Sequence, residues 1–359
     1  MSGVGFVLKL KHITLGAAGL AAGIFILIYS PAVRGGVSRG LQLCAGTVIP
    51  SLFMFTAVVL FISLSGAANA LGRYIERLSQ FIFGLSGEQT VVMLLSFLSG
   101  YPVGAKLIDD MYLRGAADQK TANRMMLYCV NAGPAFIITA VGEVTLGSRS
   151  DGIRLLATHI GASLIIAVVS NILRKRTRCC DTCTPAADGT VTKIKPRSTG
   201  EAFVESVSAA ASTMLTVCAF VVLFSGISGG INAVMQEKTA AAICGLLEVT
   251  VGTSGCTRRQ IVKVAFLLGF SGVSVHFQVM AAARHINLKL HRLVSGRILH
   301  GALSAGITAA AERLFPRTVV ASVNPPSAAA SGSPAASAAL IFLCVVLLFS
   351  IGDKRYSTN

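Results

Sequence analysis

Long apolar runs, separated by glycine, proline or basic clusters, set the pattern of this chain. The clearest occupy residues 13–30, 48–65, 155–173, 209–224 and 335–351. They are too long and too apolar for buried core helices, and they approach the roughly 20 residues that a membrane-spanning helix needs. The pattern predicts an all-α polytopic membrane protein. Residues 1–30 place Lys9 and Lys11 ahead of an apolar run longer than that of a signal peptide. No small-x-small cleavage site closes the run, and Pro31 and Arg34 follow it, so the expectation is a retained first span. Gly16, Gly19 and Gly23 stack on one face of that span, with Gly19 and Gly23 in a GxxxG pair, which predicts close packing on another helix.

The polar punctuation divides the chain. Residues 175–200 carry Lys175-Arg176, the cysteines of "CCDTC", and then Lys193, Lys195 and Arg197 without apolar periodicity. They are expected to form a basic cytoplasmic linker. Residues 316–334, rich in Ala, Ser and Pro, are expected to be a flexible loop. The predicted order is an extra helix in 1–40, a first repeat in 41–174, the linker, a second repeat in 201–315, the loop, and a last span in 335–352.

The halves flanking the linker resemble each other. "LFISLSGAANAL" (60–71) answers "LFSGISGGINAV" (223–234), and "FLSGYPVG" (97–104) answers "GFSGVSVH" (269–276). Asn123-Arg124 then answers His291-Arg292. Counting spans puts both the N-terminus and the linker inside, so the two repeats enter the bilayer in opposite directions. The expected architecture is an inverted repeat, transporter-like, with two broken or re-entrant helical hairpins at 89–114 and 240–288. Arg258, Arg259, Lys263 and Lys289 would then lie toward the outer half, against the positive-inside tendency.

The breaks point to chemistry. In "SGYPVGAK" (99–106), Pro102 forbids helix continuation, Tyr101 before it is pushed off helical angles, and Gly100 and Gly104 allow sharp turns. Unpaired carbonyls and amides result, tolerated at membrane depth where they line a cavity or a site. A restarting helix turns its positive end toward an anion, and Lys106 in its first turn would add a full charge. An isolated copy would fit a surface turn equally well. A companion break, "SGVSVHFQ" (271–278), favours a site between the two. The candidate binding residues are Ser99, Gly100, Tyr101, Pro102, Gly104, Lys106, Ser271, Gly272, Ser274, His276 and Gln278. Two weaker candidates join them: Asn131, in a third break "NAGP", and Glu248, an acid in an apolar segment that could serve proton coupling or pair with an arginine.

Composition narrows the function. Of 359 residues, 53% are hydrophobic and 13% charged, with a formal charge of +16. The mean hydropathy is +0.71. The basic residues fit cytoplasmic loops facing anionic lipid, and no basic run interleaves with aromatics, so a lipid bilayer rather than nucleic acid is the expected partner. Three clustered cysteines with no fourth ligand in register fall short of a zinc site, and no metal or cofactor is expected. No phosphate-binding loop, HExxH or GxSxG is present, and no nucleophile-and-base pair supports an enzyme. A homo-oligomer is left open. A non-transporting membrane scaffold is the rival from another class.

On "GTVIPSLFMF" (46–55), "LSGYPVGAK" (98–106), "NAGPAFI" (131–137), "LEVTVG" (247–252) and "SGVSVHFQ" (271–278), the chain resembles the sporulation integral membrane proteins. These belong to the nucleoside-recognition Gate domain group, similar to concentrative nucleoside transporters. The resemblance spans about residues 41–311. It implies a multi-pass protein of the cell membrane, in the membrane that surrounds the forespore, moving a small anionic metabolite, dipicolinic acid, during endospore formation. A nucleoside or another small metabolite is the alternative substrate.

Overall fold

The computed structural model describes residues 2–178 and 198–315, helices joined by turns and short non-helical stretches. The cysteine cluster and most of the basic linker, the loop 316–334 and the span 335–352 lie outside the described residues. Helix α1 (Ser2–Ile28) is followed after Tyr29 by α2 (Ser30–Leu43), with Pro31 in its first turn. A π-helical turn, Cys44–Val48, joins α2 to α3 (Ile49–Leu64), so the chain runs helically over 35 residues from Ser30 to Leu64. Pro50 explains the π turn. Its ring crowds the carbonyl one turn back, and a wider turn there relieves the clash.

Helix α4 (Ala67–Ile82) leaves α3 through Gly66 and lies at 89° to α5 (Gly87–Ser99). Its exposed Leu71, Tyr74, Leu78 and Phe81 alternate with Arg73, Glu76 and Arg77, the pattern of a helix lying in the membrane interface. Ser86 and Gln89 form a capping box that starts α5. After Gly100-Tyr101-Pro102, α6 (Val103–Leu113) runs back along α5. Arg114 beyond the end of α6 pairs with Glu88 at the start of α5, at 3.1 Å. These two helices are therefore a hairpin whose tip is the glycine-proline break. Helix α7 (Gln119–Met125), capped by Asp118, then gives way to non-helical chain through Asn131-Ala132-Gly133 before the π-helical segment Phe136–Thr145. Helix α8 (Arg149–Arg178) completes the first half.

The second half repeats this plan without an equivalent of α4. The long helix is α9 (Thr199–Val234) and the hairpin is α10 (Glu237–Leu247) with α11 (Val249–Ser254). A β-carbon placed on Gly252 would lie 2.6 Å from the Gly245 Cα, so these legs lie back to back, with Glu248 at their tip. Helix α12 (Ile261–Phe270) meets α13 (Gly272–Ala282) at Ser271, and the two belong to one 25-residue span from Arg258 to Ala282. Helix α14 (Leu290–Leu314) ends the described chain.

The structure thus pairs the breaks differently from the sequence match. The counterpart of the Gly100 hairpin tip is Glu248, and Ser271 interrupts a through-going helix, as Gly133 does. A Ser-Gly pair marks any helix break and does not distinguish a hairpin tip from a broken span. Because α12 and α13 cross rather than return, Lys289 sits on the face shared by the ends of α6 and α8. Contacts of Asn287 N with Gln119 and of Asn171 with the Phe81 and Ile82 carbonyls assemble that face. Arg258 stays on the opposite face, bonded to Asp151.

The long helices of the two halves cross through small residues. A β-carbon on Gly36 would collide with the Ser225 carbonyl, one on Gly229 with the Ala32 carbonyl, and one on Gly40 would stand 2.9 Å from the Val222 Cα. In a membrane such close approach replaces the hydrophobic drive between helices. By contrast, nothing lies within 4 Å of where β-carbons on Gly16, Gly19 or Gly23 would stand, so the GxxxG face of α1 meets no other described helix. Gly36→Val is expected to destabilise the protein in detergent by about 3 kcal/mol, at the upper end of overpacking costs. Gly19→Val should leave the thermal transition in place. Equal shifts for both variants would contradict this crossing. Exposed apolar residues on the spans, among them Leu173, Val204, Leu215 and Leu299, form the lipid-facing surface.

Candidate functional site

Each half brings its own two breaks together. Gly100 has φ +80° and ψ 178°, a conformation essentially reserved for glycine, and its β-carbon position is 3.0 Å from Gly133 N. The Gly272 β-carbon position is 3.1 Å from both the Leu247 carbonyl and Val249 N. The halves are then joined across the centre. Tyr101 Oη, at the first hairpin tip, donates to the Leu268 carbonyl at 2.5 Å, 167 residues away, in the last turn of α12 before its break.

A small cavity of about 40 Å³ lies among these breaks. Its wall takes Gly100 and Tyr101 from the first hairpin, Gly133 from the first broken span, Glu248 to Thr250 from the second hairpin, and Val275 and Gln278 from the second broken span. Ser51 and Leu52 of α3 and Val217 and Val221 of α9 line it from the long helices. The wall is mainly apolar, with a few convergent polar groups, the usual make-up of a small-molecule site. Among the described residues that line it, Glu248 is the only charged one. Its carboxylate accepts from Val251 N at 2.8 Å and from Thr250 Oγ1 at 3.2 Å, and so caps α11.

Of the residues singled out in the sequence, Gly100, Tyr101, Glu248 and Gln278 line the cavity. The others support it or sit elsewhere. Ser99 Oγ returns to the Leu95 carbonyl at 3.1 Å, and Pro102 precedes α6 as its cap residue. Gly104 is pressed between the Cys129 carbonyl and Ser96, where any side chain would collide. Ser271, at φ +75°, turns its hydroxyl to the Leu268 and Gly269 carbonyls and forms the break itself, against Gly272. Ser274 accepts from Gln278 Nε2 at 3.2 Å and so fixes the amide in the wall. His276 Nε2 donates to the Phe270 carbonyl at 3.0 Å, closing the end that α12 leaves open. Lys106 does not line the cavity: its ammonium is 2.8 Å from Asp110 one turn on.

Asn131 belongs to a buried network that the sequence reading missed. Its Nδ2 donates to the Tyr128 carbonyl at 2.6 Å, and its Oδ1 accepts from Ser163 of α8 at 2.6 Å. Ala132 N donates to His159 Nε2 at 3.2 Å. Arg297 of α14, fully buried, donates to the carbonyls of Val130 and Leu127, the latter at 2.7 Å. One guanidinium thus satisfies two carbonyls that α7 leaves unpaired at its break. An arginine and a histidine three residues apart inside a span were the signal available in the sequence.

Two further pairs tie each hairpin to the other half. Buried Asp109 of α6 accepts from His285 N at 3.1 Å and His285 Nδ1 at 2.8 Å, in the connection between α13 and α14. Arg258, just beyond α11, donates through Nε to Asp151 at the start of α8 at 2.7 Å. The first pair lies on the face where α8 ends and α9 begins, the linker face, and the second on the opposite face.

No family model matches the chain, and no solved structure matches it. The Gate-domain likeness therefore rests on the motifs alone. Among curated proteins, the chain is 23% identical over 302 residues to the sporulation integral membrane protein YlbJ of Bacillus subtilis (strain 168), covering 74% of each chain. The apolar spans make this chain a multi-pass membrane protein, similar to YlbJ over most of its length.

Proposed function

We propose that the protein is a secondary transporter that moves a small metabolite by alternating access around the central cavity. The observation that carries this reading is the convergence of four helix breaks, two from each inverted half, on one cavity. Non-helical backbone at membrane depth is tolerated where it lines such a cavity, and broken helices at a repeat interface are where transporters hold their solutes. Rigid-body motion of one half against the other exposes the cavity to alternate faces.

The name of the Bacillus relative supports a membrane role in sporulation. Dipicolinic acid as substrate, and the membrane around the forespore as location, come from the resemblance. The wall itself favours a hydrogen-bonding solute with an apolar face. Glu248 would repel a dianion unless its carboxyl were neutral, and Lys106, the expected counter-charge, is engaged with Asp110. A nucleoside fits this wall better. Uptake of labelled dipicolinate and of labelled nucleosides into proteoliposomes tests both substrates. Saturable uptake of one over empty liposomes is expected. Movement of neither, with loop deletions rather than cavity substitutions abolishing function, would identify a membrane scaffold instead.

The two hairpin pairs make a prediction of opposite signs. Asp109→Asn weakens the link on the linker face, and Asp151→Asn weakens that on the other. Accessibility of Thr250→Cys to a membrane-impermeant thiol reagent should rise from the linker face in the first variant and from the opposite face in the second. A rise from the same face in both would contradict alternating access. Each change should be about tenfold or more, because a charge-assisted hydrogen bond contributes about 1.5–3 kcal/mol.

A further inference from the structure

Beneath the first broken span, two histidines face each other with complementary unmet needs. His159 of α8 and His300 of α14 are fully buried, with ring centroids 4.5 Å apart. Their partners fix the neutral tautomers. His159 Nε2 accepts from the Ala132 amide, so the ring hydrogen is on Nδ1. His300 Nε2 lies 3.0 Å from the His159 carbonyl, which can only accept, so that nitrogen carries the hydrogen and its Nδ1 lone pair is bare. Ser163 donates to Asn131 Oδ1 and offers its own oxygen to the same His300 N–H at 3.2 Å. Neither Nδ1 has a protein partner. One is a buried donor without an acceptor, the other a buried acceptor without a donor. Such groups are costly in a low-dielectric interior and mark a site with another role.

Their surroundings connect them to the cavity. His159 holds the amide of Ala132, next to cavity-lining Gly133. Arg297, three residues before His300 on α14, clasps the carbonyls of Leu127 and Val130. Arg297 is also the charged group that faces both rings. Of the elements packed on this pair, α12 brings only Lys263, exposed in its first turn, and the π-helical segment brings only Glu143, engaged by Arg149. Tyr128 and Cys129 of the break are fully buried.

We propose that the His159–His300 pair is the proton-binding site that couples a proton gradient to movement of the first broken span. This rests on the transporter reading above. A proton from solvent water forms an N–H bond with the free lone pair of His300 Nδ1. It places a second positive charge one turn from the Arg297 clasp. Repulsion loosens the guanidinium from the Leu127 and Val130 carbonyls, and with it the Ala132–Gly133 wall. Loss of the proton on the other face lets the clasp close. His159 cannot take a proton at Nε2 while Ala132 occupies that nitrogen, so its protonation, too, requires an opened break.

The test uses the full chain with 15N-labelled histidine in nanodiscs. At pH 8, His159 should give the Nδ1–H tautomer and His300 the Nε2–H tautomer. On acidification to pH 4, His300 should become an imidazolium, and the Ala132 amide should shift along the same curve. An unprotonated His300 throughout, or an Ala132 amide that ignores its protonation, would overturn the proposal. In proteoliposomes, His300→Gln keeps an N–H donor for the His159 carbonyl but cannot titrate. Its ratio of pH-gradient-driven uptake to solute counterflow should fall at least tenfold. An unchanged ratio would overturn the coupling while leaving the transporter in place. Titration as expected with no solute moved by the wild type would remove the transporter reading and leave the proton site.

Discussion

Gly100→Ala is expected to reduce solute uptake at least tenfold while the protein still inserts and remains folded. Two effects add at this position. The backbone conformation, φ +80° with ψ 178°, is essentially closed to a residue with a side chain, at a cost of about 1–3 kcal/mol. The new methyl would also stand 3.0 Å from Gly133 N, so the hairpin tip and the first broken span would have to separate. That separation reshapes the cavity wall, which takes in both residues. Gly66→Ala is the control. Gly66 has φ +79° as well, but nothing lies within 4 Å of its β-carbon position. It should lower stability by about 1 kcal/mol, as left-handed backbone does, and leave uptake within twofold. Equal losses of uptake in both variants would mean that strain, and not the meeting of the two breaks, governs function.

Arg297→Leu is expected to produce a large loss of stability. The substitution leaves the Leu127 and Val130 carbonyls without their donor, at about 1–3 kcal/mol for each buried orphan group. Relief from burying a guanidinium offsets part of this. The net expectation is a loss of roughly 2–4 kcal/mol, read as a fall of about 5–10 °C in the thermal transition in detergent. Arg297→Lys should fall between, since an ammonium lacks the planar fork that reaches two carbonyls at once. A transition unchanged in the leucine variant would mean that the α7 break is satisfied in another way.

Much of this arrangement was legible in the chain because it is local. The apolar runs at 48–65, 155–173 and 209–224 fall in described spans, and Gly100, Pro102 and the residues between them gave the first hairpin tip, since proline and glycine act on their own backbone. Glu248 was legible as an acid in an apolar segment, but its place at a hairpin tip was not. The repeat was aligned on Ser-Gly pairs, and those mark breaks of either kind. The engagement of Lys106 was available in its spacing to Asp110, an i, i+4 pair on one helix. The contacts that hold the halves together were not legible. Tyr101 meets Leu268, Arg297 meets Val130 and His285 meets Asp109 across 167, 167 and 176 residues, and no local pattern encodes such partners. The crossing of the long helices sits between these cases. Gly36, Gly40 and Gly229 were visible as small residues, yet so were Gly19 and Gly23, whose face meets no other described helix.

Convergence of the breaks from both halves on one cavity can be measured without knowing the solute. A photoreactive benzoyl-phenylalanine replacing Tyr101, activated in native membranes, samples whatever lies beside the first hairpin tip. Mass spectrometry of the crosslinked peptides should place the adducts in the second half, between Ile261 and Ala282 or around Glu248. Adducts confined to lipid, or to peptides of the first half, would contradict a shared central cavity and the transport mechanism built on it.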